Sequence, residues 1–191
     1  MMKEIHEQPK AVKDTLNSVL KDGKLDLSAV ELTDDEIKKI SQIYIVACGS
    51  AYHVSVVAQY VMEDLAKIPV RVELASEFRY RKPLLDPDGL VIVISQSGET
   101  ADSLAALRLA KDKGLKTLGI VNVVGSSIAR EADNVFYTLA GPEIAVATTK
   151  AYSTQLIAAY CLALQFAYVR GEMELLNMKD FYLNLKLYLK R

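Results

Sequence analysis

Small hydroxyl residues and glycines recur at four places where an apolar segment gives way to a helical pattern. The four clusters are Gly49-Ser50, Ser95-Gln96-Ser97-Gly98-Glu99-Thr100, Gly125-Ser126-Ser127 and Thr148-Thr149. The N-terminus of a helix presents unpaired backbone N–H groups and the positive end of the helix dipole, which favour an anion. Glycine lets the backbone approach that anion, and hydroxyls add neutral donors. Each cluster alone is typical of ordinary helix capping. Several clusters converging on one sheet edge predict a phosphate site.

The common sequence motifs of nucleotide-binding and metal-binding sites are missing from the sequence. There is no G-x-x-x-x-G-K-[ST] motif and no G-x-G-x-x-G motif, so neither a P-loop nor a dinucleotide-binding Rossmann site is predicted. His6 and His53 are the two histidines, and their positions suggest no metal site.

Several single residues have both a chemical and a structural interpretation. His53 and Glu99 are the one acid–base candidate, yet His53 also fits a partly buried residue near a helix start, and a carboxylate at Glu99 suits a helix dipole. Cys48 fits a nucleophile or a small buried residue at a strand end. Lys150 could pair with an anion or be solvated. Arg79 and Arg81 could hold a domain or subunit contact or be solvated.

The elements that must position these residues alternate between short apolar runs and helical patterns. The predicted strands are 43–48, 70–74, 90–95, 116–123 and 134–139, and the predicted helices are 4–20, 33–40, 50–66, 103–113, 127–131, 149–169 and a C-terminal helix from Leu175. This alternation predicts an α/β fold: a three-layer, doubly wound, five-stranded parallel sheet. Ligands of such sheets bind beyond the carboxyl ends of the strands near the topological switch point, where the clusters would lie.

Bulk composition narrows the class of protein. The 191 residues carry a net charge of −1, which gives no reason to expect nucleic acid or an anionic membrane as partner. The two cysteines, Cys48 and Cys161, lie in apolar surroundings and favour a reducing compartment. Because there is no signal-peptide pattern and no apolar run of membrane-spanning length, we predict a cytoplasmic protein.

Five segments together resemble the sugar isomerase (SIS) domain family. They are "ACGSAYH", "ASEFRYRKP", "ISQSGETADSLAALRLAK", "NVVGSSIARE" and "GPEIAVATTKAYSTQ". "SQSGET" marks the SIS family in general, whereas "SEFRYR" and "EIAVATTKAYSTQ" are similar to the isomerase half of the glutamine–fructose-6-phosphate aminotransferases, the glucosamine-6-phosphate synthases.

The resemblance implies a flavodoxin-like sheet, a homodimer, and conversion of fructose 6-phosphate and glutamine-derived ammonia to glucosamine 6-phosphate, with no cofactor. Positions matching the family's ligands to the sugar phosphate are Ser50, Ser95, Gln96, Ser97 and Thr100, and positions lining the sugar are Val146 and Thr148. The family pattern after Cys-Gly usually has two hydroxyls, but here Ala51 follows Ser50, for which we expect a modest weakening of binding.

The resemblance also implies that substrate binding and catalysis are distributed over different domains of a longer protein. We expect an N-terminal helical segment (1–40), a sugar-phosphate-binding SIS domain (41–170) and a helical tail (171–191) leading to a second SIS domain. The family's ring-opening and enolisation residues lie in that second domain, and a glutaminase domain precedes this region. The chain alone is therefore expected to bind fructose 6-phosphate or glucosamine 6-phosphate weakly, with no catalytic residues and no turnover. The alternatives are a regulatory SIS module that senses a phosphosugar, and a stand-alone SIS isomerase or deglycase.

Overall fold

The computed structural model describes residues 1–22, 24–174 and 180. The helices are α1 Met2–Ser18, α2 Asp34–Lys39, α3 Ser50–Ala66, α4 Ala75–Phe78, α5 Ala101–Asp112, α6 Ser127–Glu131 and α7 Lys150–Val169. The strands are β1 Leu20–Lys21, β2 Lys24–Leu25, β3 Gln42–Ala47, β4 Val70–Leu74, β5 Gly89–Ser95, β6 Lys116–Val121 and β7 Asn134–Tyr137. A 3-10 turn covers Ser28–Val30.

Strands β3 to β7 form one parallel sheet in the order β4-β3-β5-β6-β7. The predicted five-stranded, doubly wound parallel sheet is therefore confirmed. Numbered from its own first strand, the order is 2-1-3-4-5, which is the flavodoxin-like arrangement with its switch point between the first and third strands. Here these are the neighbours β3 and β5.

The central strands are apolar on both sides because helices cover both faces of the sheet. In β3, Ile43 and Ile45 pack with α3 and α7, whereas Tyr44 and Val46 pack with α5 on the other face. Since α3 follows β3 on one face and α5 follows β5 on the other, their connecting loops diverge and leave a crevice above the two strand ends.

The chain before β3 packs into the same core as the sheet. Val12 and Leu16 of α1 and Ile37 of α2 belong to the cluster on the α3–α7 face. The amide of Asn134 donates a 2.9 Å hydrogen bond to the carbonyl of Val30 and fixes the 3-10 turn against β7. The capping box predicted from Thr33 and Glu36 is present at the start of α2.

The long elements match their predictions, and the short ones were missed. Strand β4 and helices α3 and α6 begin and end where predicted, and the other predicted elements differ by a few residues at their ends. The β1–β2 pair, the 3-10 turn and α4 were not predicted because two to four residues show no periodicity. The helix predicted from Leu175 lies almost entirely outside the described residues.

Candidate functional site

The crevice at the switch point holds a cavity of about 350 Å³, here called the switch-point cleft. All seven residues predicted to contact the ligand line it: Ser50, Ser95, Gln96, Ser97, Thr100, Val146 and Thr148. They come from the loops after β3, β5 and β7, so residues nearly 100 positions apart in sequence share one cavity. The other lining residues are Cys48, Gly49, Ala51, Ile94, Ser103, Ala145 and Gln155.

Hydroxyl groups shape the loop after β5 from within. The buried Ser95 Oγ accepts a hydrogen bond from the Gly98 N–H at 3.1 Å and lies 3.2 Å from Thr100 Oγ1. Ser97 Oγ accepts from the Glu99 N–H at 3.2 Å. Since Ser97 only accepts in this bond, its hydroxyl proton stays available to a ligand.

Gly98 is required by the turn of this loop. Its φ is +66°, and a Cβ at this position would lie 2.0 Å from Ser126 Oγ and 2.6 Å from Ser126 Cβ. The Gly98 carbonyl accepts from the Ile128 N–H at 3.0 Å. The loop is therefore docked on the start of α6, and only glycine fits the contact.

Two helices begin at the cleft with open N-termini. At the N-cap positions of α3 (Gly49) and α5 (Thr100), no side chain caps the helix, and no other described side chain accepts from their first N–H groups. In contrast, glutamates fill the starts of α6 and α7. The Glu99 carboxylate accepts from the Ser127 N–H at 2.7 Å, and Glu143 accepts from the Thr149 N–H at 2.8 Å. The first N–H groups of α3 and α5 thus remain open at the cleft, and Asp102 in the first turn of α5 is paired with Arg79.

The third predicted cluster does not belong to this cleft, which corrects the expectation of four converging loops. Gly125, Ser126 and Ser127 are not among the lining residues, because the start of α6 is turned to Glu99. The hydrogen bonds from Ser127, helped by the nearby Arg130 charge, lower the pKa of Glu99. Asn122, at the head of the same loop, lines a neighbouring cavity of about 700 Å³ that also touches Gln96 and Ser97.

The loop after β7 is held in place by carboxylates. Thr148 Oγ1 donates a 2.6 Å hydrogen bond to Glu143. From α1, the buried Glu4 accepts the N–H groups of Ile144 at 2.7 Å and Ala145 at 3.2 Å. These two backbone hydrogen bonds lower the pKa of Glu4. Helix α1 thereby holds in place the segment that contains Val146. The side chain of Val146 is fully exposed and lines the cleft.

The cationic candidates bind acidic side chains within the chain. Lys150 is 3% exposed and lies 2.6 Å from Glu7 of α1, so it is neither solvated nor free to hold a ligand. Arg79 pairs with Asp102 at 2.7 Å, which raises the pKa of the guanidinium, and Arg81 pairs with Glu73. These contacts join α4 to α5 and β4.

The acid–base candidates lie outside the cleft, whereas the nucleophile candidate Cys48 lines it. His53 is exposed, meets the Tyr52 ring edge-on at 5.7 Å between centroids, and does not line the cleft. Glu99 does not line it either. Cys48 is half-buried and lines the cleft, whereas burial raises the pKa of the Cys161 thiol to about 12.

Two buried polar residues of the cleft escaped the sequence analysis. Ser103 lies one helical turn after Thr100, and that spacing could have identified it. Gln155 lies inside the apolar run of α7, where no sequence signal distinguishes it from a core position.

Comparison with known protein families matches residues 36–165 to the SIS domain family. The chain is 57% identical over 189 residues to a glutamine–fructose-6-phosphate aminotransferase (isomerizing) of Clostridium tetani, covering 97% of this chain and 31% of that protein. The enzyme of that name from Caldanaerobacter subterraneus is 56% identical, with the same shares covered. The chain thus spans about a third of the length of these relatives.

A solved structure is similar to the whole length of this chain. The C-terminal domain of glucosamine-fructose-6-phosphate aminotransferase from Francisella tularensis superposes with a TM-score of 0.95 at 40% identity, over 100% of this chain and 53% of that chain. Among the described residues, no helix is both long and apolar enough to cross a membrane. On the match to residues 36–165, the chain belongs to the SIS domain family.

Proposed function

We propose that the switch-point cleft binds the phosphate of fructose 6-phosphate or glucosamine 6-phosphate. The observation that carries this proposal is the pair of open helix N-termini, α3 and α5, meeting at one cleft with the hydroxyls of Ser95, Ser97 and Thr100. Their N–H groups and dipoles suit a dianion, and no lysine or arginine lines the cleft among the described residues.

We further propose that this chain is the phosphosugar-holding SIS domain of a glutamine–fructose-6-phosphate aminotransferase. Identity of 56–57% with enzymes of that name over 97% of the chain supports this role. In the longer protein, a glutaminase domain would supply ammonia and a second SIS domain would complete the site. A homodimer in the cytoplasm, and the division into segments 1–40, 41–170 and 171–191, belong to the same proposal.

The 191-residue chain by itself would bind the sugar phosphate without converting it. Isomerisation requires a general acid or base within hydrogen-bond reach of the substrate. Cys48 is the one titratable side chain among the described residues that line the cleft. A stand-alone isomerase or deglycase is disfavoured because His53 and Glu99 both lie outside the lining. A phosphosugar-sensing regulatory module would bind the same ligand and likewise lack turnover.

Calorimetric titration of the chain with fructose 6-phosphate and with fructose tests the binding proposal. The phosphorylated sugar should bind and the free sugar should not. Ser97→Ala should weaken binding by about 10- to 100-fold, because a hydrogen bond to a charged group contributes about 1.5–3 kcal/mol. Ser41→Ala is the matched control, since Ser41 is exposed and precedes β3, at the end of that strand opposite the cleft. Equal affinity for fructose and its phosphate would contradict the proposal.

A further inference from the structure

Gln155 is a buried polar side chain for which the fold provides no partner. It lies in the second turn of α7, is 3% exposed, and lines the switch-point cleft. No hydrogen bond joins its amide to any described residue, although an amide carries two donors and an acceptor oxygen. Its polar atoms are not among the unpartnered atoms that are sealed from solvent, so the amide reaches the cleft and can pair with a ligand there.

Neighbouring buried hydroxyls are either paired within the fold or sealed from solvent. Thr154 Oγ1 donates to the Ala151 carbonyl at 3.0 Å, and Ser55 Oγ donates to the Ala51 carbonyl at 2.9 Å. Ser103 Oγ is also unpartnered, but it is sealed from solvent and a ligand cannot reach it as it stands. Among the described residues of the cleft, Gln155 thus combines deep burial, an unpaired polar group and a place in the cavity wall.

The position of Gln155 indicates which part of a ligand it would meet. Helix α7 lies in the layer of α3, on the opposite face of the sheet from α5. A phosphate held on the Ser95–Thr100 loop would leave the α7 side of the cleft, which Gln155 lines, open to the rest of the ligand. A sugar hydroxyl both donates and accepts, and so it can pair with the amide in either direction.

We propose that Gln155 hydrogen-bonds a hydroxyl of the sugar and makes the cleft selective for a phosphorylated hexose over inorganic phosphate. This inference rests on the proposed phosphosugar function and adds a specificity residue to it. It assigns phosphate affinity to the loop after β5 and sugar recognition to α7.

Gln155→Met tests the inference because methionine keeps the length and volume of the side chain and removes its amide. The affinities of the chain for fructose 6-phosphate and for inorganic phosphate are measured by NMR titration of backbone amides. We expect about a tenfold loss for fructose 6-phosphate and no change for phosphate, which corresponds to one hydrogen bond of about 1.4 kcal/mol. Gln165→Met is the matched control, because Gln165 lies near the C-terminal end of α7 and does not line the cleft, and it should leave both affinities unchanged.

The possible outcomes separate the two proposals. Unchanged fructose 6-phosphate affinity in Gln155→Met, or an equal loss for both ligands, would overturn the role of Gln155. A wild-type chain that binds neither ligand would instead overturn the proposed function. A purely structural role would lower the melting temperature and both affinities together. If Gln155→Met does not fold, Gln155→Asn, which withdraws the amide by one methylene, must show the same selective loss.

Discussion

Replacing Gly98 by alanine should destabilise the chain by two separable effects. A residue with a Cβ at φ +66° costs about 1–2 kcal/mol. The added Cβ would also lie 2.0 Å from Ser126 Oγ and 2.6 Å from Ser126 Cβ, closer than atoms can approach. Relieving that overlap requires the loop and α6 to separate, and overpacking of this kind costs about 1–3 kcal/mol. We therefore expect a total loss of about 2–5 kcal/mol in the free energy of unfolding.

Gly114→Ala provides the matched control. Gly114 has φ +79°, and nothing lies within 4 Å of a Cβ placed on it. The backbone strain and the effect of alanine on the unfolded chain are thus shared by both variants and cancel in their difference. Urea denaturation should show Gly98→Ala less stable than Gly114→Ala by about 1–3 kcal/mol.

The contact with Ser126 can be tested by a double variant. Ser126→Gly removes both atoms that the new Cβ would strike, so adding Gly98→Ala to it should cost only the backbone strain. Gly98→Ala alone should also weaken fructose 6-phosphate binding, because the Gly98 carbonyl and Glu99 both anchor the loop on α6. Equal stability losses for Gly98→Ala and Gly114→Ala would refute the close approach of the loop to α6.

Three further predictions concern the surroundings of the cleft. Glu4→Ala should weaken fructose 6-phosphate binding several-fold in calorimetric titration, because it releases the backbone of Ile144 and Ala145. Glu172→Ala, which changes an exposed side chain, should leave the affinity unchanged. Equal effects of the two variants would contradict the positioning role of α1. The Cys48 thiol should react with an aromatic disulfide reagent in the native chain, and it should react more slowly when fructose 6-phosphate is bound. The Cys161 thiol should react only after unfolding. Labelling of Cys161 in the native chain at the rate of Cys48 would contradict its burial. Hydrogen bonds from Lys116 and Thr33 lower the pKa of Glu36 from 4.5 to about 2, so its ionised form stabilises the fold above pH 4.5 and that contribution is lost as pH falls towards 2. Urea titrations should therefore show Glu36→Gln less stable than wild type at pH 7, and the difference in the free energy of unfolding should disappear as the pH falls from 4.5 to 2. A difference that does not depend on pH would argue against the lowered pKa.

The sequence was sufficient to predict the sheet because its signals are local. Strand β5 is an uninterrupted apolar run, and α3 shows a clear helical stripe that starts after Gly49. The switch-point rule then placed the loops after β3 and β5 at the candidate site without any contact information.

The partners that fill charged and polar positions could not be predicted because they are distant in sequence. Ser127 meets Glu99 across 28 positions and Lys150 meets Glu7 across 143. Neither spacing leaves a periodic pattern, so the start of α6 resembled a free anion site and Lys150 a free cation. Gln155 was overlooked for a related reason, since its exposure to the cleft depends on how α7 packs on α3.

The most direct test of the account is a backbone-amide NMR titration that compares hexose 6-phosphates with the corresponding free hexoses. With fructose 6-phosphate, the largest shifts should fall on the amides of Ser95 to Thr100 and at the start of α3. The amides of Gly125 to Ser127 should stay unchanged, and free fructose should shift neither group. Equal shifts of the Ser95–Thr100 amides with fructose and with its phosphate would contradict the claim that this loop binds the phosphate.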